Sequence, residues 1–313
     1  MKRIVVTGAT SMMGVALIQE ALEHGAEVYA VVRKDSPKLS RLPQASGLKL
    51  VFGDLESIAQ WKEKIPKPCD LFYHFAWVGT GPERNKSVML QSRNVYYTLE
   101  AVEAAVYLGC RRFIGAGSQA EYGPLDLPRI APDTPADPTT AYGAAKLAAG
   151  ELSRQLCREL GIEWIWPRIF SVYGIYEKET AMVASCLRNM LRGVSGDFTA
   201  GEQRWDYLYS RDAGRAYYLI GEKGVPGSRY CVGSGQARPL KEYICEMGRI
   251  TGVDPEGIGR LPYPKGAVMN LCADIETLQK DTGFVPRFSF EEGIRETIAW
   301  LQGMTGGRRK EMQ

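Results

Sequence analysis

Ile4-Val-Val-Thr-Gly8-Ala-Thr-Ser-Met-Met-Gly14 is the stretch on which the reading of the 313-residue chain turns. A short β-branched run gives way to two glycines that bound a tight turn, and the apolar residues from Met12 onward take helical spacing. A glycine-rich turn between a strand and a helix aims backbone amides and the positive end of the helix at one point. That arrangement can hold a pyrophosphate. The candidate contacts are Gly8, Thr10, Ser11, Met12, Met13 and Gly14. Ser11 stands where a third glycine usually lets the backbone come close, so either its hydroxyl faces the phosphates or the ligand sits slightly higher.

The same alternation continues outward. Apolar runs at 28–32, 48–52, 71–76, 112–116 and 162–173 are separated by helical patterns near 56–64, 87–108 and 140–160. Strand–helix alternation of this kind builds a doubly wound parallel sheet with helices on both faces, a Rossmann-type α/β fold. From about 174 the pattern loosens. Helices are expected near 180–192, 211–221, 239–251 and 290–302, with short strands near 197–200, 205–209 and 229–233. The expected organisation is a dinucleotide-binding domain over 1–173, which borrows a strand and helix from about 205–225. A smaller interleaved α/β domain over 174–313 would bind substrate.

Composition bounds the function. With 45% hydrophobic residues and a net charge of +3 from 39 basic and 36 acidic side chains, the chain reads as a globule with no nucleic-acid surface. The basic stretch at 306–310 reads as a solvated end. Seven widely spaced cysteines without a Cys-x-x-Cys pair read as reduced thiols of a cytoplasmic protein, and two histidines are too few for a metal site. No membrane span and no signal peptide are expected.

About 20 residues past the glycine turn, where an acid usually holds the ribose diol of NAD, the chain reads Val32-Arg33-Lys34. Two cations there suit a 2′-phosphate, which favours NADP, while Asp35 keeps NAD possible. His74, on an apolar run, reads as a satisfied core histidine.

Chemistry concentrates in Ser118, Tyr142 and Lys146, the last two forming Tyr142-Gly-Ala-Ala-Lys146 in a helical segment. Residues four apart share a helix face. A cation beside a phenol of ordinary pKa ~10 favours the phenolate, which makes an acid/base pair suited to a carbonyl or alcohol.

Taken in order, Thr7–Gly14, Gly53-Asp54-Leu55, His74-Phe-Ala76, Asn94, Ser118-Gln-Ala-Glu-Tyr-Gly123, Tyr142-x-x-x-Lys146, Pro167–Gly174 and Val232-Gly-Ser-Gly235 resemble an extended short-chain dehydrogenase/reductase. The resemblance is to the NAD-dependent epimerase/dehydratase family acting on nucleotide sugars, and it covers roughly residues 2–302. It implies that Tyr142 exchanges a proton with a sugar oxygen. Lys146 would hold the nicotinamide ribose and lower the tyrosine pKa, and Ser118 would hydrogen-bond the same sugar oxygen. Asp54, Leu55, Phe75, Ala76, Trp77 and Ile169 would line the dinucleotide together with Tyr142 and Lys146, and Gln119, Ser171, Arg204 and Trp205 the substrate. Family members commonly pair as homodimers through the helices near 87–108 and 140–160.

The resemblance also narrows the reaction. Members that eliminate water carry Asp-Glu directly after the catalytic Ser or Thr, and here those places hold Gln119 and Ala120. Elimination is therefore not expected, and Glu121 on an extended strand end should point away. The expected activity is NADPH-dependent reduction at C4 of a nucleotide-linked 4-keto-6-deoxyhexose, with resemblance to CDP-abequose and CDP-paratose synthases in 199–203 and 230–243. The alternatives are an NAD-dependent nucleotide-sugar 4-epimerase, a reductase of a non-nucleotide ketone, and a non-catalytic dinucleotide-binding protein. The ketone alternative arises because the family's diphosphate arginine corresponds to Trp205, with Arg204 one residue away on the opposite strand face.

Overall fold

The computed structural model describes residues 2–310, without the side chains of 82–83 and 304–310, so those of the basic stretch at 306–310 lie outside the described residues. In chain order the elements begin β1 (Arg3–Thr7), α1 (Met12–Glu23), β2 (Glu27–Val32), β3 (Leu48–Phe52), α2 (Ile58–Trp61), β4 (Leu71–His74) and α3 (Val88–Tyr107). They continue with β5 (Arg112–Ile114), β6 (Gly117–Ser118), α4 (Ala141–Leu160), β7 (Glu163–Ile169), β8 (Ser171–Tyr173) and α5 (Met182–Met190). After these come β9 (Arg204–Trp205), β10 (Tyr207–Tyr209), α6 (Ser210–Lys223), β11 (Arg229–Val232), β12 (Arg238–Pro239), α7 (Leu240–Thr251), β13 (Asn270–Leu271), α8 (Glu276–Thr282) and α9 (Phe290–Lys310).

The main sheet runs β11-β7-β5-β4-β1-β2-β3, with β6 beside β7, and every pairing is parallel. Each face carries helices, and β1 shows why. Ile4 and Val6 enter the core on the side of α1 and α6, while Val5 enters the other, on the side of α3 and α4. Strand side chains alternate faces, so a strand covered on both sides must be apolar throughout. Between β1 and β4 the winding reverses, and the crevice at the carboxyl ends of these strands is where such sheets take a ligand. The Thr7 hydroxyl and His74 Nδ1 meet there at 2.9 Å.

The rest forms smaller units. β8 and β10 pair in parallel, β9 joins β12 and β13, and α5, α7 and α9 surround a core around Leu187, Ile244, Met247 and Ile294. The expected 162–173 strand changes sheet at Phe170, which sinks into a separate cluster with Tyr122, Cys231 and Leu271. The expected helix near 56–64 is α2 plus a 3-10 turn at Lys62–Lys64. Ser57, its N-cap, bonds back to Asp54 instead of to the helix, and Pro66 closes the far end. Near 197–200 only an isolated bridge forms, from Phe198 to Ile258. Six cysteines are buried, Cys245 is exposed, and none is disulfide-bonded. No helix among the described residues is long and apolar enough to cross a membrane.

Candidate active site

The glycine turn is built tightly. Gly8 has φ +68°, and a side chain there would come within 2.6 Å of the Ala76 amide nitrogen, so the turn and the end of β4 touch backbone to backbone. Ser11 caps α1 by accepting from the Gly14 amide at 3.0 Å. Its oxygen thus satisfies an orphaned first-turn amide, while its O–H is left to donate. The amides of Met12 and Met13 remain as the first-turn donors a pyrophosphate would take. Such a turn fits a dinucleotide.

Past β2, Arg33, Lys34 and Asp35 are all exposed. The chain then curls back through a 3-10 turn at Leu39–Arg41, and Arg41 donates to the Thr10 carbonyl at 3.4 Å while lying 4.9 Å from the Tyr176 ring centre. Lys38 belongs to the same positive group. Its pKa is lowered by burial first, then by Arg41 and Arg33. Asp54 is used locally, accepting from Glu56 N–H and the Ser57 hydroxyl, and Leu55 is buried in the core.

Ser118, Tyr142 and Lys146 come together at the ends of β6 and α4. Thr140 caps α4 through the Gly143 amide at 3.1 Å. A side chain on Gly143 would strike the Ala120 carbonyl at 2.2 Å, so the glycine inside the Tyr-Lys motif is what lets α4 close against the turn after Ser118. The Ser118 hydroxyl is close enough to the Tyr142 phenol to lower its pKa. Lys146 is buried, donates to the Ala116 carbonyl at 2.6 Å, and lies 3.6 Å from the centre of the Trp77 ring but 5.8 Å from that of Tyr142. Burial pushes its pKa down to about 7. Trp77, fixed by its indole donating to Gln91 at 2.8 Å, meets the Tyr142 ring edge-on at 5.9 Å.

Several groups act on the pKa of Tyr142. Burial raises the pKa, and the groups that pull it back are Arg84 and Ser118. Arg84 was not read from the sequence. It sits in a 3-10 turn at Pro82–Asn85 and lies 4.0 Å from the Tyr142 ring centre. His74 is held at about pKa 3, chiefly by burial and then by Lys146.

Gln119 and Ala120 form a 3-10 turn with Glu121 in place of the expected extended end. Ser118 and Glu121 make a capping box, and Glu121 Oε1 accepts from the Ser118 amide at 2.8 Å and the Trp166 indole at 3.0 Å. Its Oε2 accepts from Arg168 Nε at 2.7 Å. This carboxylate is fully committed to the fold.

On the substrate side, Ser171 opens β8 and Ile169 ends β7 beside the core. Phe75 packs on Tyr217 at 4.8 Å. Trp205 packs against the cluster of Tyr122 and Phe170, while Arg204 is exposed and donates to the Ala237 carbonyl. Arg204 lines a cavity of about 640 Å³ together with Arg129 and Asn270, and Ser118, Tyr142 and Lys146 are not among its lining residues.

The model of the NAD dependent epimerase/dehydratase family matches residues 4–233. The chain belongs to that family. It is 23% identical to the dTDP-glucose 4,6-dehydratase of Haemophilus influenzae over 96% of this chain and 98% of that protein. It is 25% identical to the enzyme of the same name from Mycolicibacterium smegmatis over 96% and 93%. Among solved structures, the UDP-glucose 4-epimerase of Thermotoga maritima with UDP-glucose superposes with a TM-score of 0.85 at 22% identity, covering 97% of this chain and 99% of that one. The dTDP-glucose 4,6-dehydratase of Streptomyces venezuelae with bound NAD gives 0.85 at 21%, covering 97% and 98%. At these identities the structural likeness is one of fold. The chain is thus an enzyme of the extended dehydrogenase/reductase class.

Proposed function

We propose that this enzyme uses NADPH to reduce the C4 carbonyl of a nucleotide-linked 4-keto-6-deoxyhexose. The observation that carries the reading is the composition of the site: the Ser118 hydroxyl acts on Tyr142 near Lys146, and the nearby carboxylate of Glu121 is held by Arg168. Relatives named as 4,6-dehydratases and 4-epimerases of nucleotide sugars support the substrate class. Gln119 and Ala120 cannot move a proton at neutral pH, and Glu121 is bound to Arg168, which argues against elimination.

The dinucleotide, when bound, supplies a hydride to the carbonyl carbon. Tyr142 then donates its phenolic proton to the carbonyl oxygen, and the Ser118 hydroxyl holds that oxygen in place as its charge grows. Lys146 would hold a ribose hydroxyl of the bound dinucleotide. Arg33, Lys34, Lys38 and Arg41, gathered after β2, support a 2′-phosphate and hence NADP.

The test incubates purified protein with NADPH or NADH and a panel of nucleotide-linked 4-keto-6-deoxyhexoses, following absorbance of the reduced cofactor. Oxidation with NADPH is expected. Arg41→Ala should weaken NADPH by about 10- to 100-fold and leave NADH nearly unchanged, the equivalent of one charge-assisted hydrogen bond of ~1.5–3 kcal/mol. No oxidation with any sugar, together with copurifying NAD, would replace the reductase reading with a 4-epimerase.

A homodimer through α3 and α4 belongs to the same reading. It is supported by Met89 and Tyr96 exposed on α3 and Leu152 exposed on α4. Light scattering at micromolar concentration should give twice the 34.7 kDa of one chain, and a single-chain mass would discard the dimer.

A further inference from the structure

We propose that Tyr176 is a positioning residue for cofactor choice: its ring holds the Arg41 guanidinium at the glycine turn, where that cation tells the 2′-phosphate of NADPH from the bare ribose of NADH. The inference rests on the reading of the cations after β2 as a 2′-phosphate site. Its basis is a strained backbone position and the side chain that this position presents.

Tyr176 lies between β8 and α5 with φ +70°, and among the described residues it is the one non-glycine in the left-handed region. The Glu177 amide donates to the Gly174 carbonyl at 3.1 Å, which closes a turn with Tyr176 in its third place. A left-handed third place normally belongs to glycine or asparagine, because a larger side chain crowds the backbone there. A tyrosine persists in it only where the surroundings overdetermine it, and such positions gather at functional sites. Here Trp300 of α9 meets the ring edge-on at 5.3 Å, and Lys178, two residues on, donates to the Thr80 carbonyl. The segment is thus held at both sides, with the ring turned to Arg41.

Arg41 comes from the 3-10 turn at Leu39–Arg41 and reaches two places at once. One arm of its fork donates to the Thr10 carbonyl at 3.4 Å, within the glycine turn, and its central carbon lies over the Tyr176 ring at 4.9 Å from the centre. That is within the range over which a ring face attracts a guanidinium. The carbonyl contact is long, and alone it would not fix so flexible a side chain. Like charge works against it, since Lys38 feels both Arg41 and Arg33. Repulsion within this group would send Arg41 outward, and the ring opposes it. Burial disfavours the charged form of Arg41, and Tyr176 is the group that favours it. A guanidinium has further N–H donors suited to a phosphate, whereas a ribose diol brings no charge to meet them.

The experiment measures binding of NADPH and of NADH to the whole chain by isothermal titration calorimetry, in wild type, Arg41→Ala, Tyr176→Phe, Tyr176→Gly and the double variant Arg41→Ala with Tyr176→Gly. Glycine accepts the left-handed backbone and removes the ring, so the turn is kept while the contact is lost. Tyr176→Gly should weaken NADPH by about 3- to 30-fold, the span of a cation–π contact, and leave NADH within about 2-fold. Tyr176→Phe keeps the ring face and should bind both as wild type does. Because Tyr176 acts through Arg41, the double variant should bind NADPH no more weakly than Arg41→Ala alone. Wild-type NADPH preference in Tyr176→Gly, an equal loss of NADH, a loss in Tyr176→Phe as large as in Tyr176→Gly, or additive losses in the double variant would overturn the proposal. A wild type without preference for NADPH would overturn the cofactor reading and the proposal together. A preference that Arg41→Ala abolishes and Tyr176→Gly keeps would overturn the proposal alone.

Discussion

Tyr142→Phe should lower turnover by about 10²- to 10⁴-fold while leaving dinucleotide affinity unchanged, the range expected when one general acid is removed. The phenylalanine ring keeps the edge contact with Trp77 at 5.9 Å and the guanidinium of Arg84 at 4.0 Å, so the packing of the site survives. What disappears is the proton donor and the hydroxyl on which Ser118 acts. The dinucleotide is expected to be held by the turn from Gly8 to Gly14 and by Lys146, none of which the substitution touches. Affinity can be followed by quenching of the tryptophan fluorescence, since Trp77 lies beside Lys146 at 3.6 Å. Turnover within a few-fold of wild type would remove Tyr142 from the reaction. Lost binding would mean that the hydroxyl anchors the cofactor and that the kinetic effect reports affinity. Lys146→Met provides the contrast, because it should weaken both quantities together.

What could be read from the sequence follows the range over which each signal acts. The βα alternation, the glycine turn, and the Tyr142–Lys146 pair are local patterns, and β3 at Leu48–Phe52 and α4 at Ala141–Leu160 fall close to where periodicity puts them. The sheet change at Phe170 was invisible, since β7 and β8 form one apolar run and only their partners, β11 and β10, separate them. Arg41 and Arg84 escaped notice for the same reason. Each lies in a 3-10 turn without periodicity, and each acquires a role only when folding carries it to Thr10 or to Tyr142. The capping role of Ser11 was legible in principle, because serine followed by the first helical residues is a helix-start signal. The cap is compatible with a phosphate contact, since the oxygen that accepts from the Gly14 amide keeps its own proton to donate. Glu121 was placed off the site correctly in direction, but on an extended strand that is in fact a capped turn.

That turn carries the largest stability effect expected from one side chain. Glu121→Ala should cost about 3–5 kcal/mol, measured by denaturant unfolding, because it leaves the Arg168 guanidinium buried without its carboxylate. Both partners are nearly inaccessible, and the carboxylate also takes the Ser118 amide and the Trp166 indole, so one truncation orphans three donors. The pair need not be a net source of stability, since two charges had to be desolvated to form it. A double replacement, Glu121→Met with Arg168→Met, should therefore cost less than the single one. The Ser118 amide nevertheless loses its acceptor in either variant, so the Ser118 hydroxyl should wander from Tyr142 and turnover should fall even where the fold is regained. A single-variant cost below about 1 kcal/mol would show that Arg168 finds another partner, such as more of the Pro132 carbonyl it already reaches at 3.1 Å. In that case the ion pair would not be what holds the capped turn after Ser118, and the Ser118 and Trp166 donors would have found other acceptors as well.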